Sequence, residues 1–456
     1  MFYKSIRHDI ALMAYPTVAF SIFFVFVLLF MRTTQNTIPK DHAFIVTGLA
    51  FYAYIQPWMA IFLLLYAYAT AKVGLRLESQ KNRRLVWTFC TLAIGFLVLC
   101  KYLNWGLSWF QIDPMWPNWA IPAALSFITF QSIWAVLQSY RGEVKDVSLA
   151  SRMAHICFFP SISSGPIVAL SQWKEAPTQA STHEAMSRII LGLFQKLVLA
   201  SIANELGQVG FADATLSSRE ALWQSVLAYS FEIYFDFSGY SNMAIGVALL
   251  LGVRLPENFN HPYHAHNIQE FWRRWHISLS TFFRDNVYIH VFGGNRNGLF
   301  MQARNAMAIM LICGLWHGAN ATYIIWGLLH GSAIAFVVLF GRKKKTTANA
   351  LNIVLTWIFV TYAWIWFRAS SVAEARFIQE GLFITQGDTE PVAWGWTFLI
   401  ACGVWVASEK LMMSGLSRWV HSTWHSGWKT LSWAAMFVAM LALSPRGMPS
   451  FIYYQF

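Results

Sequence analysis

Two histidines stand out as residues able to do chemistry. His317 lies in Leu315-Trp316-His317-Gly318, inside a stretch from Asn305 to Phe340 that has no Asp, Glu, Lys or Arg. An imidazole buried in such a helix is costly unless it is hydrogen-bonded or lines a cavity, so a functional role is its first reading. It can take and return a proton near neutral pH, which an amide cannot. Gly314 and Gly318 predict open space around it. The other reading is a histidine that ties two helices together, and the residues alone leave both open. His276 follows a basic pair in Arg273-Arg274-Trp275-His276-Ile277-Ser278-Leu279-Ser280. Arg273 and Arg274 could hold an anionic group such as a phosphate, or anchor a helix among lipid headgroups.

Other polar groups read as support. Glu232 and Asp236 sit among aromatics between Phe231 and Asn242. Carboxylates in that setting must be paired, hydrated or protonated. Asp236 reads as half of a structural ion pair, with Arg273, Arg274 or Arg284 as partner, and as a cavity-lining residue second. Ser238, Asn242, Glu270 and Trp316 join it as structural or cavity-lining residues. His261, His264 and His266 form a dense cluster, but Pro262 interrupts it and the spacing matches no familiar ligand set. No metal site is expected. There is no Walker loop and no Gly-x-Ser-x-Gly elbow, which leaves ATP-driven pumping and a covalent serine route without support. Transfer of an activated group to a hydroxyl and proton-coupled transport both remain.

The elements that must hold these residues are membrane helices. Of 456 residues 57% are apolar and 12% charged, against roughly 25% charged in a soluble domain; mean hydropathy is +0.44. Ile10 to Met31 and Ala43 to Ala71 also lack charge. A bilayer core needs about 20 apolar helical residues, so the first is one span. The second, with Pro57, is a broken or tilted span or two short ones. The stretch 305–340 suffices for two spans, or for one and a re-entrant piece. Further candidates lie at 85–100, 120–137, 152–170, 190–205, 222–250, 351–367, 391–408 and 430–445. The expectation is an all-α polytopic protein with about 10–12 embedded helices, since an open sheet edge cannot be satisfied in lipid. Arg7 and the apolar stretch after it read as a retained span rather than a cleaved signal.

Residues 251–304 are unusual, because charge is interleaved with Phe, Trp, Ile and Leu. Ile268 to Phe283 has helical spacing and predicts an in-plane or partly inserted helix. Glu270 and Arg274 stand four apart on it, able to pair. Residues 293–298 read as a tight turn. The net charge of +12 gathers beside spans, at Lys72, Arg76, Lys81, Arg83 and Arg84 and at Arg342 to Lys345. That fits cytoplasmic loops against anionic membrane lipids, not nucleic acid. The five cysteines read as small buried hydrophobes.

These residues resemble the membrane-bound O-acyltransferase family, and its alginate-type acetylating branch in particular. The resemblance rests on Tyr234 to Ser241, Pro256-Glu257-Asn258-Phe259-Asn260, Glu270 to Ser280, Gly293-Gly294-Asn295-Arg296 and Leu315 to Gly331. Ser126-Phe127, Tyr140-Arg141-Gly142, Ser164 to Ile167 and Trp366 to Ala369 add to it. The match covers roughly 45–370 of one membrane-embedded domain, 1–456, with 231–331 as its catalytic core. It implies a ring of tilted helices around a pinched central cavity. It places the invariant family histidine on His317 and the second, paired one on His276. The implied donor is acetyl-coenzyme A or another acyl thioester on the cytoplasmic side, with no cofactor held permanently. The implied acceptor is an exported, alginate-like polysaccharide, reached directly or through a periplasmic acetyltransferase or glycan-synthesis partner, at the bacterial inner membrane. D-alanyl transfer from a carrier-protein thioester is the nearest alternative, and a proton-coupled transporter or flippase of glycan precursors the competing class. Asn242, Gln138 and Ala123-Ala124 depart from the family pattern, the first two standing where Asp is usual.

Overall fold

The computed structural model describes residues 17–115, 122–162, 165–175, 181–296, 298–341, 349–384, 387–420 and 426–443. Arg7 and the 342–345 cluster lie outside them. Among the described residues the chain is helical, apart from an isolated bridge between Ser217 and Thr389. It divides into two compact units, Met1–Ala185 with Met243–Pro256, and Met186–Asn242 with Glu257–Phe456.

The first unit carries α1 (Val18–Thr34), α2 (Lys40–Ile55), α3 (Met59–Ser79), α4 (Arg83–Ser108), α5 (Leu125–Arg141) and α6 (Leu149–Cys157). Pro57 decides the fate of the uncharged stretch Ala43–Ala71. It has no N–H to donate and disfavours helix in the residue before it, so α2 ends at Ile55 and α3 starts at Met59. A core of Tyr52, Leu63, Ala67, Ile128 and Ile156 joins these helices, while Ile61, Leu65 and Leu92 stay exposed on the outer faces. Exposed apolar faces on such helices are what a lipid environment covers.

The departures at Gln138 and Ala124 have local causes. Gln138 donates from Nε2 to Ser171 Oγ (2.9 Å) and accepts from the Ser171 amide (3.3 Å); a carboxylate could not donate. Ala124 occupies a left-handed conformation, φ +56°, at the start of α5, a position glycine fills without strain. The turn is held instead by side chains. Tyr52 OH donates to the Ala123 carbonyl (2.6 Å), and Gln56 Oε1 accepts from the Ala123 amide (2.8 Å). The candidate span 152–170 is not one helix. α6 stops at Cys157, and only a single turn, Phe159–Ile162, follows, in a sequence interrupted by Pro160 and Pro166.

Into the second unit run α7 (Thr182–Phe194), a π turn at Gln195–Ala200, α8 (Ser201–Phe211) and α9 (Arg219–Leu250). Then come α10 (Ile268–Arg274), α11 (Ile277–Phe282), α12 (Gly298–His317), α13 (Ala321–Phe340), α14 (Ala350–Arg368), α15 (Val372–Gly381), α16 (Gly395–Val420) and α17 (Ser426–Leu443). The stretch 305–340 is thus two antiparallel helices. Residues 293–298 do form a turn, with positive φ at Gly293, Gly294 and Gly298; Asn297 lies outside the described residues.

Among the described residues six helices are long and apolar enough to cross a membrane: α3, α4, the α7–α8 run, α12, α13 and α14. α1, α2 and α5 are shorter, and α9 and α16 carry acidic residues at mid-length. Counting apolar segments therefore gives a larger number than counting self-sufficient spans.

Candidate active site

The site grows from the α12–α13 hairpin. A Cβ added at Gly314 would lie 2.3 Å from the Tyr323 carbonyl oxygen, one at Gly327 2.5 Å from that of Met310, and one at Gly331 2.8 Å from Met307 Sδ. Small residues let two helix backbones touch where apolar packing alone gives no drive to associate in lipid. The space expected beside Gly314 and Gly318 is therefore not open. Tyr323 fills it, with its ring 2.3 Å from where a Gly318 Cβ would stand.

This close packing ends α12 at His317 and walls its imidazole in aromatics. The Trp316, Phe367 and Trp326 rings lie 4.8, 5.0 and 5.2 Å away, all three edge-on. His317 is 3% exposed. Trp316 in turn stands 6.2 Å from the ring of His276. The structure thus brings the two predicted histidines to one tryptophan, within the second unit.

His276 does not sit inside a continuous helix, as the spacing of 268–283 suggests. It occupies a break between α10 and α11 with φ +43°, a left-handed conformation that a non-glycine residue holds only when its surroundings enforce it. Asn258 supplies much of that enforcement. Its carbonyl oxygen accepts from the Ile277 amide (3.0 Å), and its Oδ1 from Ser278 Oγ (2.7 Å). Asn258 Nδ2 is turned toward Ser241 Oγ at 3.2 Å. With the amide so oriented, Oδ1 also accepts from His276 Nδ1 (3.3 Å). The lone pair of that ring is then on Nε2. Burial pushes the His276 pKa down to about 3, so the ring is neutral at physiological pH.

A third imidazole belongs to this group. His330 is fully buried, its Nδ1 accepting from Trp272 Nε1 at 3.2 Å, with Trp326 at 4.8 Å between it and His317. Trp326 Nε1 and His330 Nε2 meet no hydrogen-bond acceptor among the described residues. The run to Gly331 and the stretch Pro256 to Asn260 carry the resemblance, but neither assigns a role to His330 or Asn258. The available signal was spacing: Trp326 and His330 are four apart, on one helical face. Beside Trp272 a cavity of about 200 Å³ opens, with Ser280, Arg284, Tyr288 and Cys313 on its wall. Cys313 is one turn before His317 on α12.

The other predicted residues divide by partner. Asp236 is buried in an ion pair with Lys196 of the π turn, not with Arg273, Arg274 or Arg284. Gly239 makes this approach possible, since a Cβ there would lie 3.1 Å from the Lys196 nitrogen. Arg284 instead pairs with its neighbour Asp285 at 2.6 Å. Arg274 Nε donates to Glu270 Oε1 at 3.0 Å, the expected pair, and Arg273 is exposed. Asn242 accepts from Arg188 (2.7 Å) and donates to Gln195 (2.8 Å), the second of which an aspartate could not do. Ser238 is buried, its hydroxyl without a partner among the described residues. The three loop histidines turn to separate partners: His261 to Glu409 (3.0 Å), His264 to the Val406 carbonyl (2.7 Å) and His266 to Glu270.

Burial pushes the Glu270 carboxyl up, but the His266 amide and the Arg274 guanidinium outweigh it and hold its pKa below the ordinary value. A depressed carboxylate stabilises the fold above its unfolded pKa, and the contribution is lost as pH falls through the folded one. Glu270→Gln should therefore lower the thermal midpoint at pH 7, with the gap to wild type closing below the usual glutamate value of about 4.3. Thermal scans at pH 7 and pH 3.5 check this; a gap independent of pH would remove the charge from the account.

Comparison with known proteins identifies the family of the chain. Over 365 residues the chain is 36% identical to the probable alginate O-acetylase of Pseudomonas aeruginosa, covering 74% of this chain and 69% of that protein. It is 33% identical over 332 residues to the peptidoglycan O-acetyltransferase of Helicobacter pylori, covering 63% and 62%. With the teichoic acid D-alanyltransferase of Bacillus subtilis it shares 29% over 261 residues, 52% and 66% of the two chains. Residues 60–373, which include His276, His317, His330 and the glycine-packed hairpin, match the family described as membrane-bound O-acyltransferase, and the chain is a multi-pass member of that family.

Proposed function

We propose that this acyltransferase moves an acetyl group from a cytoplasmic thioester to hydroxyls of an exported envelope polysaccharide, at the bacterial inner membrane. The observation that carries the reading is His317, a buried imidazole at the end of a glycine-packed hairpin and one tryptophan away from a second imidazole. In the proposed step His317 takes the proton of the acceptor hydroxyl. The oxygen attacks the thioester carbonyl carbon, the carbon–sulfur bond breaks, and the proton passes to the leaving sulfur, yielding ester and thiol. His276, held by Asn258 beside Trp316, orients the hydroxyl or the carbonyl. The cavity beside Trp272 and Cys313 suits a thioester arm, with Arg284 on its wall to meet a phosphate; Arg273 is the exposed cation of the earlier pair. An exposed outer-face acceptor and an intervening periplasmic acetyltransferase are both compatible with this chemistry.

The named relatives act on alginate, peptidoglycan and teichoic acid, which supports a polymer hydroxyl as acceptor and an acetyl group over D-alanine. The test uses purified protein in lipid, supplied with an acetyl thioester and an envelope glycan. Free thiol should appear in step with ester. Glycan movement without thiol release would replace the reading with transport, and a D-alanyl thioester consumed in preference to the acetyl one would change the donor.

A further inference from the structure

Away from the imidazoles, the second unit holds a larger cavity of about 330 Å³ between α7, α16 and α17. Phe194, Met412, Met436 and Met440 are among its lining residues, so most of its wall is apolar. Methionine side chains are unbranched and polarizable and adapt to irregular apolar ligands. Leu431, Phe437 and Val438 stand exposed along α17, an apolar surface of the kind that meets bilayer hydrocarbon. A wall of this kind suits a hydrocarbon chain.

Two polar groups on the wall say more. Ser187 is 5% exposed, and its Oγ has no hydrogen-bond partner among the described residues; the same holds for the buried Trp405 Nε1. Both are donors, and buried donors call for acceptors, so the occupant must bring acceptor oxygens into an otherwise apolar site. Glu409 lines the cavity too, with one oxygen accepting from Tyr234 OH at 2.5 Å and the other facing His261 Nδ1 at 3.0 Å. A second carboxylate there would meet like charge, which selects an ester over a free fatty acid. We propose that this cavity binds one ester-linked fatty-acyl chain of a bilayer glycerophospholipid. The site reaches toward the imidazoles through Glu409, because the Tyr234 ring packs on Phe259 (5.8 Å) and on Trp275 (6.1 Å), the residue before His276.

The test reconstitutes the full chain with a phosphatidylcholine carrying a photoreactive diazirine in one acyl chain, and maps the adducts by peptide mass spectrometry. Labels should concentrate on the segments holding Met412, Met436 and Met440. Met440→Trp, which fills the cavity, should reduce them several-fold without changing labels on α4 and α13. Met436→Trp, at a position 42% exposed, does the same if the buried substitution impairs folding. An ether-linked analogue, which lacks the carbonyl acceptor, should label several-fold less than the ester, and Ser187→Ala should erase that preference. Labels spread evenly over all exposed helix faces, equal labelling by ester and ether in the wild type, competition by free fatty acid alone, or adducts between two copies of the chain in place of lipid would each overturn the proposal.

Discussion

Replacing His317 with glutamine is expected to cut acyl transfer by about 10²- to 10⁴-fold, the range that a positioned general base contributes, while the protein stays folded. Glutamine keeps much of the side-chain volume in the cage of Trp316, Trp326 and Phe367 but cannot take a proton at neutral pH. The loss should fall on kcat, since a base acts in the transition state more than in substrate binding. His276→Asn, which retains a polar side chain beside Asn258, should cost less and shift KM as well, because that residue is assigned to orientation. Thiol release under saturating donor and acceptor, together with thermal scans of each variant, separates the two roles. Wild-type turnover in His317→Gln would sink the general-base assignment and favour a scaffold that recruits a soluble transferase.

Lys196→Met should strongly destabilise the second unit. It leaves Asp236, 2% exposed, as a buried carboxylate without its ion-pair partner, and breaking such a pair costs about 3–5 kcal/mol. Removing both charges in Lys196→Met/Asp236→Leu should recover most of that, since a buried pair replaced by apolar side chains of similar volume is often neutral or stabilising. Thermal midpoints in one detergent measure the cycle. A double variant as unstable as the single one would mean that the side chains matter for something other than each other, and would return Asp236 to a cavity-lining role.

Legibility from sequence followed the range of the interaction. The break at Pro57, the Glu270–Arg274 pair and the turn at Gly293 and Gly294 are local, and spacing alone predicts them. His276 and His317 stand out through their motifs, and the structure brings both rings to Trp316. Partners distant in sequence were not. Lys196 reaches Asp236 because a π turn interrupts the α7–α8 run and Gly239 admits its backbone, and neither condition has a spacing signature. The left-handed break at His276 was hidden because 268–283 keeps a helical pattern on both sides of it. The enforcing contacts come from Asn258, well upstream. His330 lies within the matched run to Gly331, but its partner Trp272 is 58 residues upstream and leaves no local spacing signal.

The glycine-packed hairpin also assigns mobility within the site. With backbones in contact at Gly314, Gly327 and Gly331, α12 and α13 have no side-chain layer to slide on, so His317, Trp326 and His330 move as one body. His276 sits on a kink between two helices of seven and six residues, restrained by hydrogen bonds rather than by touching backbones. If donor and acceptor are gripped by a closing motion, the hinge is at His276 and the anvil is at His317.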